Sequence, residues 1–287
     1  MKVVIIGNTG FIGKNIFDYL DKTIEYNLQG ISTNEIDLTK EKSYNSLSKY
    51  LSPNCIVIMC AGVKKQLGDN LDTFENNSVI INNFCKAISL CPPQKIIFFS
   101  SASVYGEDVA YAEKITEKTL VQLKTYYGIA KYNAECLLDK VCSDIQTQLV
   151  ILRPPLIYGK DDFSQGYGPT GFTYKTVNHE EIILWGDGSE FREFVFIADV
   201  AKAIHRLLNN NFNGILNLVS GESYTFKNIY DILIKLSKSD IKMTSRQRSK
   251  EKVDHHYSNE LFKNVITDFE FTRLNHGLKK MYHSLND

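Results

Sequence analysis

The sequence has no excess of either charge: Lys plus Arg and Asp plus Glu both number 33, so the formal net charge is zero. That argues against a nucleic-acid surface built on bulk positive charge, although a local basic pocket stays open. No run of 18 apolar residues occurs, and no membrane association is expected. The start, Met1-Lys2-Val3-Val4-Ile5-Ile6-Gly7, has no h-region with a small-residue cleavage site, so a cytoplasmic protein is expected. The six cysteines form no Cys-x-x-Cys pair and read as reduced, packed thiols, with no metal site. Repeats and low-complexity tracts are also missing. What is present is 287 residues, 43% of them hydrophobic, enough for one large domain or two that share a core.

Val3 to Ile6 is a wholly apolar run, the pattern of a parallel strand buried on both faces. It ends in Gly7-Asn8-Thr9-Gly10-Phe11-Ile12-Gly13, followed by a helical pattern with Ile16, Phe17 and Leu20. Strand, Gly-x-x-Gly-x-x-Gly and helix is the order a dinucleotide site requires. The glycines permit a tight turn and a close backbone approach to a pyrophosphate, and the helix N-terminus faces the anion. The second strand ends near Ile31, where an acidic residue would meet the ribose of NAD and a basic one the 2′-phosphate of NADP. Ser32-Thr33-Asn34 is neither. With no carboxylate there, and Lys14 able to approach from the first helix, NADP(H) is slightly favoured over NAD(H). Asp37-Leu38 reads either as a contact to the adenine amino group or, for Asp37, as an N-cap of the segment 39–51.

Further buried strands are expected at Cys55–Cys60, Lys95–Ser100, Leu149–Leu152 and Ile215–Val219, with helices at Glu75–Leu90, from Tyr127, at Asp199–Leu208 and at Phe226–Leu236. Ala61-Gly62 closes the Cys60 strand with small residues that leave room for a cofactor. Residues 161–171 read as a loop over a site, and 242–252 as a polar, basic stretch. Alternating strands and helices predict an α/β fold, a Rossmann-type doubly wound parallel sheet with a smaller C-terminal substrate-binding lobe. The expected boundaries are 1–160 for the dinucleotide-binding domain, with 191–220 returning to it, and 161–190 with 221–287 for the lobe.

Tyr127 and Lys131 stand four residues apart in a helical pattern, so their side chains share one face. A phenol has a reference pKa near ~10, and an ammonium held close stabilises its phenolate. At ~4 Å and an effective dielectric near 20 the attraction is of order 4 kcal/mol before desolvation. That brings a phenol toward the range of proton transfer.

Five motifs in order carry a family resemblance. They are Gly7-x-x-Gly10-x-x-Gly13, Ser100-Ser101-x-x-Val104-Tyr105-Gly106, Tyr127-x-x-x-Lys131, Arg153-Pro154-Pro155-x-x-Tyr158-Gly159 and Gly186-Asp187-Gly188-x-x-x-Arg192-x-Phe194. Together they resemble the extended short-chain dehydrogenase/reductase family, in its nucleotide-sugar epimerase, dehydratase and reductase branch. The resemblance implies a nucleotide-sugar substrate and catalytic Tyr127, Lys131 and Ser101. It implies cofactor contacts from Gly7, Thr9, Gly10, Phe11, Ile12, Gly13, Ser32, Thr33, Asp37, Leu38, Cys60, Ala61, Gly62, Asn77, Tyr127, Lys131 and Pro154. Substrate contacts are expected from Ser101, Ser103, Tyr127, Arg192 and Arg248, and pairing as a homodimer through the helices at 75–90 and 127–138. Arg192 is otherwise a surface strand arginine, and Arg246 and Arg248 otherwise a solvated basic face.

The resemblance also separates reactions. Dehydratases of the branch carry Asp-Glu just after the catalytic hydroxyl, where this chain has Ala102-Ser103. Reductases that also epimerise carbons 3 and 5 carry Cys at the slot of Ser103. His179 is a stray second base or a solvated turn residue. Much of the branch has Asn at the slot of Leu156. What the resemblance implies is an NAD(P)H-dependent 4-ketoreductase of a nucleotide-linked 6-deoxyhexose, in deoxysugar and surface-polysaccharide (O-antigen) supply. The alternatives are an NAD-dependent C4-epimerase and a non-catalytic dinucleotide sensor.

Overall fold

A computed structural model describes residues 1–23, 26–162, 166–238 and 240–286. In chain order the elements are β1 (Lys2–Ile6), α1 (Phe11–Asp21), β2 (Asn27–Ile31), α2 (Ser43–Ser48), β3 (Cys55–Met59), α3 (Leu71–Leu90), β4 (Lys95–Phe99), α4 (Tyr126–Asp144) and β5 (Gln148–Arg153). There follow β6 (Leu156–Tyr158), α5 (Pro169–Val177), β7 (Ile182–Trp185), β8 (Phe191–Phe196), α6 (Ile197–Leu208) and β9 (Gly214–Asn217). The last are β10 (Ser223–Thr225), α7 (Phe226–Ser237), β11 (Met243–Arg246), α8 (Glu260–Val265) and α9 (Leu274–Asn286).

The chain divides into two compact units. The first comprises Met1–Gly106, Leu120–Pro154 and Val200–Asn217, the second Glu107–Thr119, Pro155–Asp199 and Leu218–Asp287. In the first unit six strands pair in the order β2-β1-β3-β4-β5-β9, all parallel. The continuous apolar runs are explained by burial: every residue of β3 and β4 is buried. One face of the sheet is covered by α3 and α4, through Ile81, Phe84, Ile88, Ala134 and Leu138. Ile16 and Leu20 of α1 are buried as well. The strand order reverses between β1 and β3, so the crevice at their carboxyl ends is where such sheets take ligands.

In the second unit β8 lies between β10, antiparallel to it, and β6, parallel to it, while β7 and β11 form a parallel pair. The boundaries differ from those expected. Phe191–Phe196 pairs within the second unit, so the return to the first begins at Val200. Residues 107–119 join the second unit because Ile115 donates to His256 O (2.8 Å) and accepts from Ser258 N (2.9 Å). The expected loop at 161–171 ends in helix, since Pro169 starts α5; its residues 163–165 lie outside the described residues. The polar stretch 242–252 contains a strand, β11. His179 ends the turn after α5 at φ +57°, its N–H on Thr176 O, exposed. No helix among the described residues is long and apolar enough to cross a membrane.

At the amino end of β4, Lys95 is only 2% exposed. Its Nζ donates to the carbonyls of Leu207 and Asn210 (2.6 Å to the latter), at the C-terminal end of α6. Burial pushes the ammonium down from 10.5 to about 8. Between those values the unfolded chain holds more protons than the folded one, so this group adds stability as pH rises through the window. Lys95→Met removes the effect. The stability of the variant minus that of the wild type, from urea denaturation, is expected to fall by about 2–3 kcal/mol between pH 7 and pH 10. A pH-independent difference would contradict the assignment.

Candidate active site

The glycine loop is built by close backbone approach. Gly7 sits at φ +85°, its N–H on Ile31 O (2.7 Å), and a Cβ there would lie 2.9 Å from Ala61 N. A Cβ at Gly13 would lie 2.2 Å from Gly7 O, so only glycine lets α1 pack onto the loop. Gly10 is the N-cap of α1 and offers no side-chain cap, and the first turn holds no acidic residue. Free N–H groups at a helix N-terminus suit an anion. These residues border a cavity of about 400 Å³, with Thr9, Gly10, Phe11, Ile12 and Gly13 on one side and Cys60, Ala61 and Gly62 on another. A backbone cradle that a Cβ would fill, beside an uncapped helix start, fits a dinucleotide diphosphate.

Ser32, Thr33, Asp37 and Leu38 line the same cavity. Asp37 accepts from Thr39 N (2.9 Å) and Thr39 Oγ1 (2.6 Å), and these bonds hold its carboxyl below the ordinary range. It caps a turn and not a helix, because α2 begins only at Ser43. The sequence reading found no carboxylate at Ser32, but the fold supplies one: Glu35 accepts from Ser32 N (2.7 Å) and from Ser32 Oγ. Lys14, expected to approach this end, pairs with Asp18 at 2.5 Å and does not line the cavity.

Tyr127 and Lys131 also line the cavity. Thr125 caps α4 by accepting from Gly128 N (2.9 Å), and Asp69 accepts from Tyr127 N (3.0 Å). Lys131 Nζ donates to Phe99 O (2.8 Å) and lies 5.7 Å from the Tyr127 ring centroid. Burial lowers its ammonium to about 8, partly opposed by Cys60 and Glu135. Burial in turn pushes the Cys60 thiol up to about 12. Gly128, which sequence reasoning passed over, lets α4 touch the loop after β4: a Cβ would lie 3.0 Å from Ser103 O. Ser101 opens a short 3₁₀ turn at Ala102–Tyr105, its Oγ accepting from Ser103 N and donating to Ser103 Oγ, both at 3.1 Å. Ser100, not Ser101, lines the cavity. Asn77 and Pro154, expected to contact the cofactor, do not line it: Asn77 clamps Val63 through N–H and carbonyl, and Pro154 O accepts from Ala102 N.

Behind Lys131, one helical turn on, Glu135 is buried at 3% exposure. It accepts from Arg153 Nε (3.0 Å) and Nη2 (2.5 Å), and from Ser100 Oγ. Arg153 Nη1 donates to Tyr105 OH (3.0 Å), which donates to Asn217 Oδ1 (2.7 Å). The signal was present in the sequence: Tyr127, Lys131 and Glu135 are spaced four apart on one helix face.

In the second unit Arg192 pairs with Glu190, and its guanidinium donates to the carbonyls of Val253, Phe191 (2.9 Å) and Glu107 (3.3 Å). Arg248 donates to Glu190 (2.7 Å) and packs on Gly186, and its Nη2 is ion-paired with Asp187 at 3.6 Å. Arg246 lies over the Trp185 ring instead, 5.2 Å from its centroid. Leu156 is 39% exposed.

Removing Arg153 leaves the Glu135 carboxylate buried without its main partner. Arg153→Met is expected to cost about 3–5 kcal/mol in denaturant unfolding. A loss below 1 kcal/mol would contradict a buried, ionised pair.

The model of the NAD dependent epimerase/dehydratase family matches residues 3–218. GDP-L-colitose synthase of Yersinia pseudotuberculosis is 26% identical over 258 residues, covering 82% of this chain and 82% of that protein. A Streptomyces dTDP-4-dehydro-6-deoxy-D-allose reductase is 24% identical over 248 residues, covering 77% and 76%. The crystal structure of UDP-glucose 4-epimerase from Thermotoga maritima, with UDP-glucose, superposes at a TM-score of 0.89 with 20% identity, covering 100% of this chain and 99% of that one. The glycine cradle, the parallel sheet and the family match agree: the chain belongs to the NAD dependent epimerase/dehydratase family, in its extended short-chain dehydrogenase/reductase nucleotide-sugar branch.

Proposed function

We propose that this protein reduces the 4-keto group of a nucleotide-linked 6-deoxyhexose, in deoxysugar supply for surface polysaccharide. The observation that carries the reading is a single phenol–ammonium pair, Tyr127 and Lys131, on the wall of the glycine-loop cavity, with Ala102 and Ser103 in place of a second proton-transfer pair. The colitose synthase and deoxyallose reductase relatives support it.

In this reading the glycine loop, the Ser32–Leu38 edge and Cys60–Gly62 hold a nicotinamide dinucleotide, which supplies hydride when bound. Tyr127 gives its phenolic proton to the sugar oxygen as the carbon is reduced. Lys131, fixed by Phe99 O, favours the phenolate that remains. Ser101 turns its hydroxyl from Ser103 to the same oxygen and stabilises its negative charge. Asn77 keeps the Val63 backbone in place beside Gly62. Arg192 and Arg248 hold the substrate diphosphate as guanidinium donors. All six cysteines are free, which suits a cytoplasmic enzyme. Pairing as a homodimer through α3 and α4 would cover Val79, Leu90 and Ile129, which are exposed at 38%, 60% and 37%.

The same Tyr–Lys–Ser set also serves a C4-epimerase, a reading favoured by the fold shared with UDP-glucose 4-epimerase. A panel of nucleotide-linked 4-keto sugars and a second of nucleotide sugars with a free 4-hydroxyl decide between them: a reductase consumes reduced dinucleotide mole for mole on the first, and an epimerase interconverts the second with no net consumption. A protein that binds dinucleotide but turns over neither panel is a sensor. Tyr127→Phe is expected to lower kcat by at least about 10²-fold, the scale of lost general acid catalysis, while the thermal melt is unchanged. The ammonium of Lys131 is lost as pH rises through about 8, so kcat/KM should fall along an alkaline limb there. A profile flat to pH 10 would remove Lys131 from the mechanism.

A further inference from the structure

The surface of α9 breaks a habit of this chain. On α1, α4 and α7 an exposed lysine is paired with an aspartate four residues on: Lys14 with Asp18, Lys140 with Asp144 and Lys227 with Asp231. The helix α9 contains no acid at all. Its inner face is buried through Leu274, Gly277, Leu278 and Met281. Turning about 100° per residue, Arg273, His276, Lys279, Lys280 and His283 fall on the opposite side, in a stripe about 15 Å long. All five are exposed, and all five line one cleft of about 670 Å³ in the second unit. None of these side chains makes an ion pair or a hydrogen bond with another described residue. Arg273 acts on the Tyr224 hydroxyl only through its charge, and that hydroxyl donates to Glu222 (2.5 Å).

The rest of the cleft is formed by Glu270, Phe271 and Thr272. Thr272 is fixed by Asp199, which accepts from its N–H (2.6 Å) and its hydroxyl (2.9 Å). The Phe271 ring packs on Phe262 and Phe269, each with its centroid 4.9 Å away. This wall is therefore set before any ligand arrives. Glu270 is the one acid among the described lining residues, against the cations Arg273, Lys279 and Lys280. Like charges gathered on one helix face repel. In a chain whose net charge is zero, composition does not explain their being gathered here.

We propose that this cleft binds a small anion carrying two or more phosphates, at a site that shares no residue with the glycine-loop cavity. A guanidinium and two ammonium groups supply charge and donors to phosphate oxygens, and the two imidazoles add ring N–H donors. The stripe is longer than one phosphate, so a chain of phosphates engages more of it than a single one. Two sources carry that chemistry, a nucleotide and an inorganic polyphosphate, and Phe271 offers an apolar face to the base of the first. The inference does not depend on the reaction proposed above.

Calorimetric titration of the full chain with inorganic phosphate, pyrophosphate and triphosphate tests it. Affinity is expected to rise at least about tenfold from phosphate to triphosphate. Arg273→Gln combined with Lys280→Gln should weaken triphosphate at least about tenfold and leave the thermal melt unchanged, because both side chains are exposed. Raising the salt from 0.05 to 0.5 M should weaken the wild type by a similar factor, since exposed charges are screened; this arm needs no variant to fold. ATP separates the two sources. Binding tighter than that of triphosphate, and lost in the double variant, assigns a nucleotide; equal or weaker binding assigns an inorganic polyphosphate. Triphosphate binding that is absent, indifferent to salt or unchanged by the double substitution would overturn the cleft as a phosphate site.

Discussion

The first unit depends on one buried ion pair. Glu135 on α4 takes two hydrogen bonds from Arg153 at the end of β5 and one from Ser100 at the end of β4. Through Tyr105 the same guanidinium is joined to Asn217 at the end of β9. Placing two charges 2–3% exposed is costly, and geometry has to repay it. Here the carboxylate is bidentate to the guanidinium and takes a hydroxyl as well. The consequence is positional. Three strand ends and the helix carrying Tyr127 and Lys131 are tied to one point, so the reacting groups cannot drift independently of the sheet.

A second constraint is steric and sits at the crevice. Gly7, Gly13 and Gly128 each stand where a methyl group would press on backbone, at 2.9, 2.2 and 3.0 Å. The first two bring α1 and Ala61 onto the loop, and the third brings α4 onto the turn that holds Ser101 and Ser103. Lys131 donates to Phe99 O, so its ammonium is oriented by backbone and not by a mobile partner. Burial weakens that ammonium, and nearby Glu135 and Cys60 oppose the effect. The electrostatic setting of the proposed acid is therefore built into the same packing that makes the core.

Much of this was legible in the sequence because it is local. A buried strand, a glycine loop and a helix are consecutive, and Tyr127 and Lys131 are one helical turn apart. What was not legible depends on where the chain returns. Glu35 lies three residues past Ser32 with no periodic signal, and only the turn that bonds Ser32 O brings its carboxylate back. Glu135 could have been found as the third residue on the Tyr127 face, but its partner Arg153 lies at the end of β5, which no helical spacing points to. The strand Met243–Arg246 is polar and mostly exposed, so hydrophobic periodicity does not mark it. Phe191–Phe196 has an apolar run that fits either sheet, and its pairing with β6 and β10 is a matter of topology.

The central claim is that Tyr127 protonates one sugar oxygen while hydride is delivered to the carbon bearing it. The most direct measurement is the fate of deuterium from reduced dinucleotide labelled at nicotinamide C4, followed by NMR of the sugar product. The account predicts one deuterium at sugar C4 for each dinucleotide oxidised, and labelled product formed at least about 10²-fold more slowly by Tyr127→Phe. Unlabelled product, or deuterium at another carbon, would contradict it.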